Sequence, residues 1–148
     1  MMKNKIIVQL FLAFIVLFTF SCSKGPEPIN YGEDACDFCR MSIVDQQHAA
    51  QLVTEKGKNY KYDAIECMMN DYKDWTKVRP ELFLVNDYLN PGKLIDAKKA
   101  QFLISVSIPS PMGEFLSAFG SKEELEEVPF EKGKTMNWLE LQKHFEIK

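Results

Sequence analysis

Apolar residues form one long block at the start of the chain and only short, patterned sets afterwards. The block runs from Ile6 to Phe20, broken only by Gln9 and Thr19, behind the basic start Met1-Met2-Lys3-Asn4-Lys5. Ser23 to Asp34 then carries Gly25, Pro26, Pro28 and Gly32 with little apolar content, the composition of a flexible tether. Beyond it, Ala49 to Thr54 reads as a strand, Glu55-Lys56-Gly57-Lys58 as a polar turn, and Asn59-Tyr60-Lys61-Tyr62 alternates as a second strand, so a hairpin is expected. Ile65, Met68, Met69, Tyr72 and Trp75/Thr76 recur at three- and four-residue intervals and predict an amphipathic helix ending before Pro80. Asp63 and Glu66 have the spacing of a capping box at its start, which makes Asp63 a cap rather than a ligand.

The second half repeats this order more loosely. Leu82 to Val85 is a short strand, Asn90-Pro91-Gly92 a turn, and Leu94-Ile95-Asp96 and Gln101 to Val106 further strands. Pro109-Ser110-Pro111 breaks the chain, and Met112 to Phe119 is expected as a short helix opened by Pro111 and closed by Gly120. Ser121 with Glu124 is another capping box, opening an acidic, solvated segment to Glu127. Trp138, Leu139, Leu141 and Phe145 have helical spacing. Strand, strand, helix, strand thus occurs twice. The predicted class is α+β, with two small ββαβ-type units packed as one compact domain over residues 36–148, behind a signal peptide (1–21) and a tether (22–35).

Length and charge narrow the function. The 148 residues suffice for one ordinary domain. A basic head, an apolar run and a small residue before Cys22 describe an export signal, and the Ser21-Cys22 step resembles a bacterial lipobox, in which the Cys is freed and acylated. The block is too short for a confident span, which needs about 20 apolar residues. Loss of the first 21 residues removes Lys3 and Lys5 and leaves 16 basic and 21 acidic side chains, a charge of −5. Such a chain has no basic patch for nucleic acid. It also shows no Ser/His/Asp order, phosphate-cradling loop or paired-carboxylate signature, so nothing marks it as an enzyme.

Sulfur carries the chemistry. Cys36-Asp37-Phe38-Cys39-Arg40-Met41 holds two thiols and a thioether within six residues, and soft ligands of this kind suit Cu(I). Without Cys22, three cysteines remain (Cys36, Cys39 and Cys67), an odd number for an exported protein, where disulfides persist. Several readings stand side by side. Cys36, Cys39, His48 and Cys67 could complete a tetrahedral zinc site. Cys36 and Cys39 could pair as a disulfide in a metal-free form. A thiol oxidoreductase is less apt, because its CxxC would open a helix. Met41 is a ligand or a core filler, and Cys67 a ligand or an inert thiol near a helix start. Met112, between Pro111 and Gly113, is held at a defined place in a rigid turn. His48 is a better ligand candidate than His144, although each reads as an exposed or satisfied histidine.

These residues, in order, resemble the NosL family of accessory lipoproteins of nitrous-oxide reductase. The resemblance rests on Cys36-x-x-Cys39-x-Met41, Ala49-Ala50-Gln51, Tyr62-Asp63-Ala64-Ile65-Glu66-Cys67-Met68, Val85-x-Asp87-Tyr88, Leu94-Ile95-Asp96-Ala97, Ser110-Pro111-Met112-Gly113 and Ala118-Phe119. It implies a Cu(I)-binding chaperone, anchored through Cys22 and facing the periplasm. It implies delivery of copper to the reductase's copper–sulfide centre, with a membrane transport complex as partner. It implies Cys39, Met41 and Met112 as ligands, with Cys36 or Cys67 completing or relaying the site. It also implies paired ββαβ units related to treble-clef-like domains. The chain departs from the family at Arg40, where Gly is usual, and at Ala64, where many members have a second Asp. The alternative is a zinc- or disulfide-stabilised envelope lipoprotein acting as a protein-binding module.

Overall fold

The structure is a computed structural model describing residues 25–147. The expected signal peptide, the lipidation site Cys22 and the first tether residues lie outside the described residues. Among those described, the elements run β1 (Ala50–Thr54), β2 (Asn59–Tyr62), α1 (Ile65–Lys73), β3 (Pro80–Asp87), β4 (Asn90–Asp96), β5 (Gln101–Ile104), β6 (Leu116–Phe119), α2 (Lys122–Glu126), β7 (Lys134–Met136) and α3 (Trp138–His144).

Two antiparallel sheets form, one ordered β2-β1-β3-β4 and the other β6-β5-β7. In each, the first strand of the unit lies between the second strand and the strand that follows the helix. The ββαβ repeat expected from the sequence is therefore present twice, as β1-β2-α1-β3 and β5-β6-α2-β7. β1 is buried along its whole length because it is central in its sheet and covered. The second sheet uses the two-residue period of a strand to serve two layers. Phe102, Leu116, Ala118 and Met136 face the main core, which they share with Leu52, Tyr62, Ile65, Met68 and Met69 of the first unit. Leu103 and Phe119 face the other way and meet Leu125 of α2. Trp138, at the start of α3, closes the main core against Phe83 at 5.1 Å between ring centres.

Three local expectations are corrected. Met112 to Phe119 is not a helix. Residues 110–115 form a loop and Leu116–Phe119 is strand β6, paired Leu116 to Ile104 and Phe119 to Gln101. Gly113 (φ 77°) and Phe115 (φ 61°) adopt left-handed backbone, which a right-handed helix cannot contain. The turn expected at Asn90-Pro91-Gly92 sits two residues earlier, at Tyr88-Leu89. The Asp87 carboxylate fixes it by accepting from the Leu89 N–H (3.2 Å) and the Asn90 amide (2.7 Å). Pro91 then falls on edge strand β4, where a missing N–H costs nothing. Finally, Gly25 to Asp34 is bound to the fold rather than loose. Asn59 donates to the Gly25 carbonyl (3.3 Å), Gln51 to that of Glu27 (2.8 Å) and Lys61 to that of Pro28 (2.7 Å). Ile29 and Tyr31 also pack on the main core. The anchors of this segment are the polar side chains Gln51, Asn59 and Lys61 of β1 and β2, which hydrophobic patterning does not register.

Candidate metal centre

Residues 35–42 make a closed knuckle. Ala35 and Ser42 form an antiparallel bridge. Inside it, the Cys36 N–H donates to the Met41 carbonyl (2.8 Å) and the Arg40 N–H to the Cys36 carbonyl (3.0 Å). A turn this tight needs left-handed backbone, and Arg40 supplies it at φ 66°. A side-chain-bearing residue holds this φ under strain, which Gly would not carry. Asp37 ties the knuckle to β2. Its N–H donates to the Lys61 carbonyl, and its carboxylate accepts from the Lys61 N–H, both at 2.8 Å.

Cys67 arrives from the other side, in the first turn of α1. The expected capping box is absent. Ala64 is the N-cap and no side chain caps the helix. Asp63 is buried instead and leaves Oδ1 without a partner. Burial raises its pKa. Glu66 is also diverted from the cap, towards Ser110.

The knuckle and helix bring the Cys36, Cys39 and Cys67 sulfurs within 4.8 Å of one another. All three are free thiols; Cys36 and Cys67 are buried and Cys39 is partly so. Cys36 behaves as the anion of the set. A hydrogen bond from the Cys67 thiol outweighs its burial and, with the N–H groups of Asp63, Cys39 and Phe38, brings its pKa down to about 5. The Cys39 N–H lies 3.5 Å from this sulfur. Cys67 moves the other way, because it donates that bond and is itself buried. Cys39 is raised, chiefly by burial. One thiolate beside two thiols that can release their protons is a set of donors for a soft cation. Structural zinc takes four ligands, whereas the group here contains three.

His48 does not join them, which corrects its place in the four-ligand zinc set. It is buried, with Nδ1 3.1 Å from the Asp45 carboxylate and Nε2 3.1 Å from the Ser117 hydroxyl. Both ring nitrogens are thus engaged. Asp45, His48 and Ser117 assemble the acid–base–hydroxyl order that the sequence does not display. Ser117 is fully buried within β6, so no substrate reaches the hydroxyl, and the row ties the two units together. His144 lies exposed at the end of α3.

The two thioethers are more exposed than the buried thiols. Met41 is on the knuckle and 48% exposed; Met112 is on the loop between β5 and β6 and 38% exposed. Met68 and Met69 are fully buried core. Sequence reasoning missed Glu66 and Ser110. A Glu in a first helical turn reads as a cap, and nothing in the pattern reveals a partner 44 residues away.

A small α+β domain with convergent thiols from a knuckle and a helix start defines the class: a compact fold built around a candidate soft-metal centre. The chain belongs to the NosL family, whose model matches residues 29–145. The fold is similar to the crystal structure of the copper chaperone NosL from Shewanella denitrificans, with a TM-score of 0.67. That match covers 83% of this chain and 99% of that one at 20% identity. No curated protein matches. Among the described residues no helix is long and apolar enough to cross a membrane.

Proposed function

We propose that this protein is a Cu(I) chaperone, exported and held at the membrane through an acylated Cys22, that carries copper outside the cytoplasm. The observation that carries the reading is the convergence of the Cys36, Cys39 and Cys67 sulfurs within 4.8 Å. Cu(I) accepts low coordination by soft donors, so three sulfurs suffice for it. Cys39 spans the interior and the surface and is the natural point of entry and exit. Met41 and Met112, both exposed, supply neutral thioethers that stay ligands at any pH and offer a stepwise path for ligand exchange. The copper is cargo, and the protein performs no chemistry on it beyond binding and release.

The acceptor is the assembly pathway of the nitrous-oxide reductase copper–sulfide centre, reached with a membrane transport complex. Support for this part comes from membership of the NosL family and the export signal read at the N-terminus. Anaerobic titration of the purified chain with Cu(I) against a chromogenic chelator should give one tight site. Cys36→Ser with Cys39→Ser should abolish it. Stoichiometric zinc that Cu(I) cannot displace would refute the copper reading and leave a zinc-stabilised docking module.

A further inference from the structure

We infer that Glu66 is a positioning residue that holds the Met112 thioether where it can reach the copper on the thiol cluster. The inference rests on the copper reading above and deepens it.

Glu66 is fully buried. Its Oε1 accepts from the Ser110 hydroxyl and, at 3.4 Å, from the Leu116 N–H, while Oε2 has no partner. Burying a carboxylate is costly, and an apolar residue of similar volume would satisfy the core better. The group caps nothing on its own helix. Both of these hydrogen bonds come from residues 110–116 of the other unit.

Ser110 organises that loop. Its hydroxyl accepts from the Phe115 N–H (2.9 Å) and its carbonyl from the Gly113 N–H (3.0 Å). The backbone turns left-handed at Gly113 and Phe115 to close the loop around it. Pro111 and Met112, at the tip, remain exposed. Glu66 therefore bolts the loop to the first turn of α1, one residue before Cys67. The loop that carries Met112 in the second unit is thereby tied to the helix turn that carries Cys67 in the first.

The test uses the full chain loaded with Cu(I), comparing Glu66→Ala, Ser110→Ala, Met112→Ala and the Glu66→Ala/Met112→Ala double variant. Chelator competition gives affinity and X-ray absorption gives the number and type of sulfur neighbours. Met112→Ala should weaken Cu(I) binding by at least the roughly 10- to 100-fold that loss of a supporting partner costs. Glu66→Ala and Ser110→Ala should reproduce much of that loss and remove the same thioether from the copper spectrum. The double variant should bind no worse than Met112→Ala. Glu66→Gln, whose amide oxygen still accepts both hydrogen bonds, should restore the spectrum. Losses that multiply in the double variant would overturn the inference, as would a wild-type copper spectrum in both Glu66→Ala and Ser110→Ala. Should Glu66→Ala fail to fold, Ser110→Ala, which cuts the same bolt from the loop side, decides alone. A wild-type chain that binds no Cu(I) would overturn the copper reading as well, which distinguishes the two failures.

Discussion

The two ββαβ units share a strand order and differ in what surrounds it. The first is preceded by the Cys36–Met41 knuckle, joins its hairpin strands by the four-residue link 55–58 and follows with the nine-residue helix α1. The second has no knuckle, joins β5 to β6 through residues 105–115 and follows with the five-residue helix α2. The first five residues of α1 are buried, which seats Cys67 against the knuckle. In α2 only Leu125 is buried, and the rest is acidic or exposed surface. The difference shows that the strand frame alone gathers no thiol cluster. What gathers one is a tight loop before the first strand and a helix start driven into the core beside it.

The sharpest way to break this comparison is to strip sulfur from the first unit and packing from the second. Cys67→Ala should lower Cu(I) affinity by more than about 100-fold, beyond the usual effect of a supporting partner. Leu125→Ala should cost about 2–5 kcal/mol of stability by opening a cavity in the second unit, yet leave the copper stoichiometry unchanged. Chelator competition and urea unfolding read the two effects separately. Loss of copper binding in a folded Leu125→Ala chain would show that the site depends on both units equally.

A pH titration sharpens the same contrast. Thiolate absorbance of the metal-free chain should show a first ionisation near pH 5, assigned to Cys36, with the other thiols remaining protonated well above it. Linkage gives the sign. A thiol whose folded pKa lies below its unfolded one contributes stability that is present above the unfolded value and lost as pH falls through the folded one. Cys36 thus favours the folded state at high pH and contributes nothing below about 5. The raised pKa of Cys67 opposes this where free thiols ionise, so ionisation is the cleaner readout. Cys67→Ala removes the donated hydrogen bond and should move the Cys36 step upward towards the ordinary thiol range. A step that stays near pH 5 in that variant would mean that the backbone N–H groups set it instead.

Much of this arrangement is legible in the sequence, and what is not has a common cause. The hairpin, helix α1 and the sulfur knuckle follow from alternation, helical spacing and local motif, all carried by neighbouring residues. β6 is not legible locally, because Leu116 and Ala118 become a strand by pairing with β5, while the preceding Pro and Met imitate a helix start. The capping boxes divide the same way. Ser121 caps α2 as expected, accepting from the Glu124 N–H at 3.2 Å. Asn137 and Glu140 form a full box on α3 that the same rule would have found. Asp63 and Glu66 have the right spacing but are buried, Glu66 against Ser110, 44 residues on. His48 is a satisfied histidine, as its sequence context suggests, but its partner Ser117 lies 69 residues on and is not legible locally.

That bridge gives an intermediate effect. His48→Ala would leave the Asp45 carboxylate short of one hydrogen bond and the buried Ser117 hydroxyl without its partner. The expected cost is about 1–3 kcal/mol, the usual penalty for stranding buried polar groups. Urea unfolding should register it while Cu(I) affinity stays close to wild type. A large loss of copper affinity in a chain that remains folded would place His48 on the metal after all.

The smallest expected effect lies in the knuckle and compares its left-handed residue with the one in the second unit. Arg40 (φ 66°) and Phe115 (φ 61°) each hold a conformation that costs a side-chain-bearing residue about 1–3 kcal/mol. Glycine relieves the strain but adds disorder to the unfolded chain, at about 0.5–1 kcal/mol. Arg40 is exposed and contributes no side-chain hydrogen bond among those described, so Arg40→Gly should be neutral or stabilising by up to about 2 kcal/mol. Phe115 is half-buried, and its ring packing is lost with the strain, so Phe115→Gly should destabilise. Opposite signs in thermal melts of the two variants would show that the knuckle carries strain its side chain does not offset. A destabilised Arg40→Gly would mean instead that the guanidinium, and not the backbone, is what this chain keeps at that position.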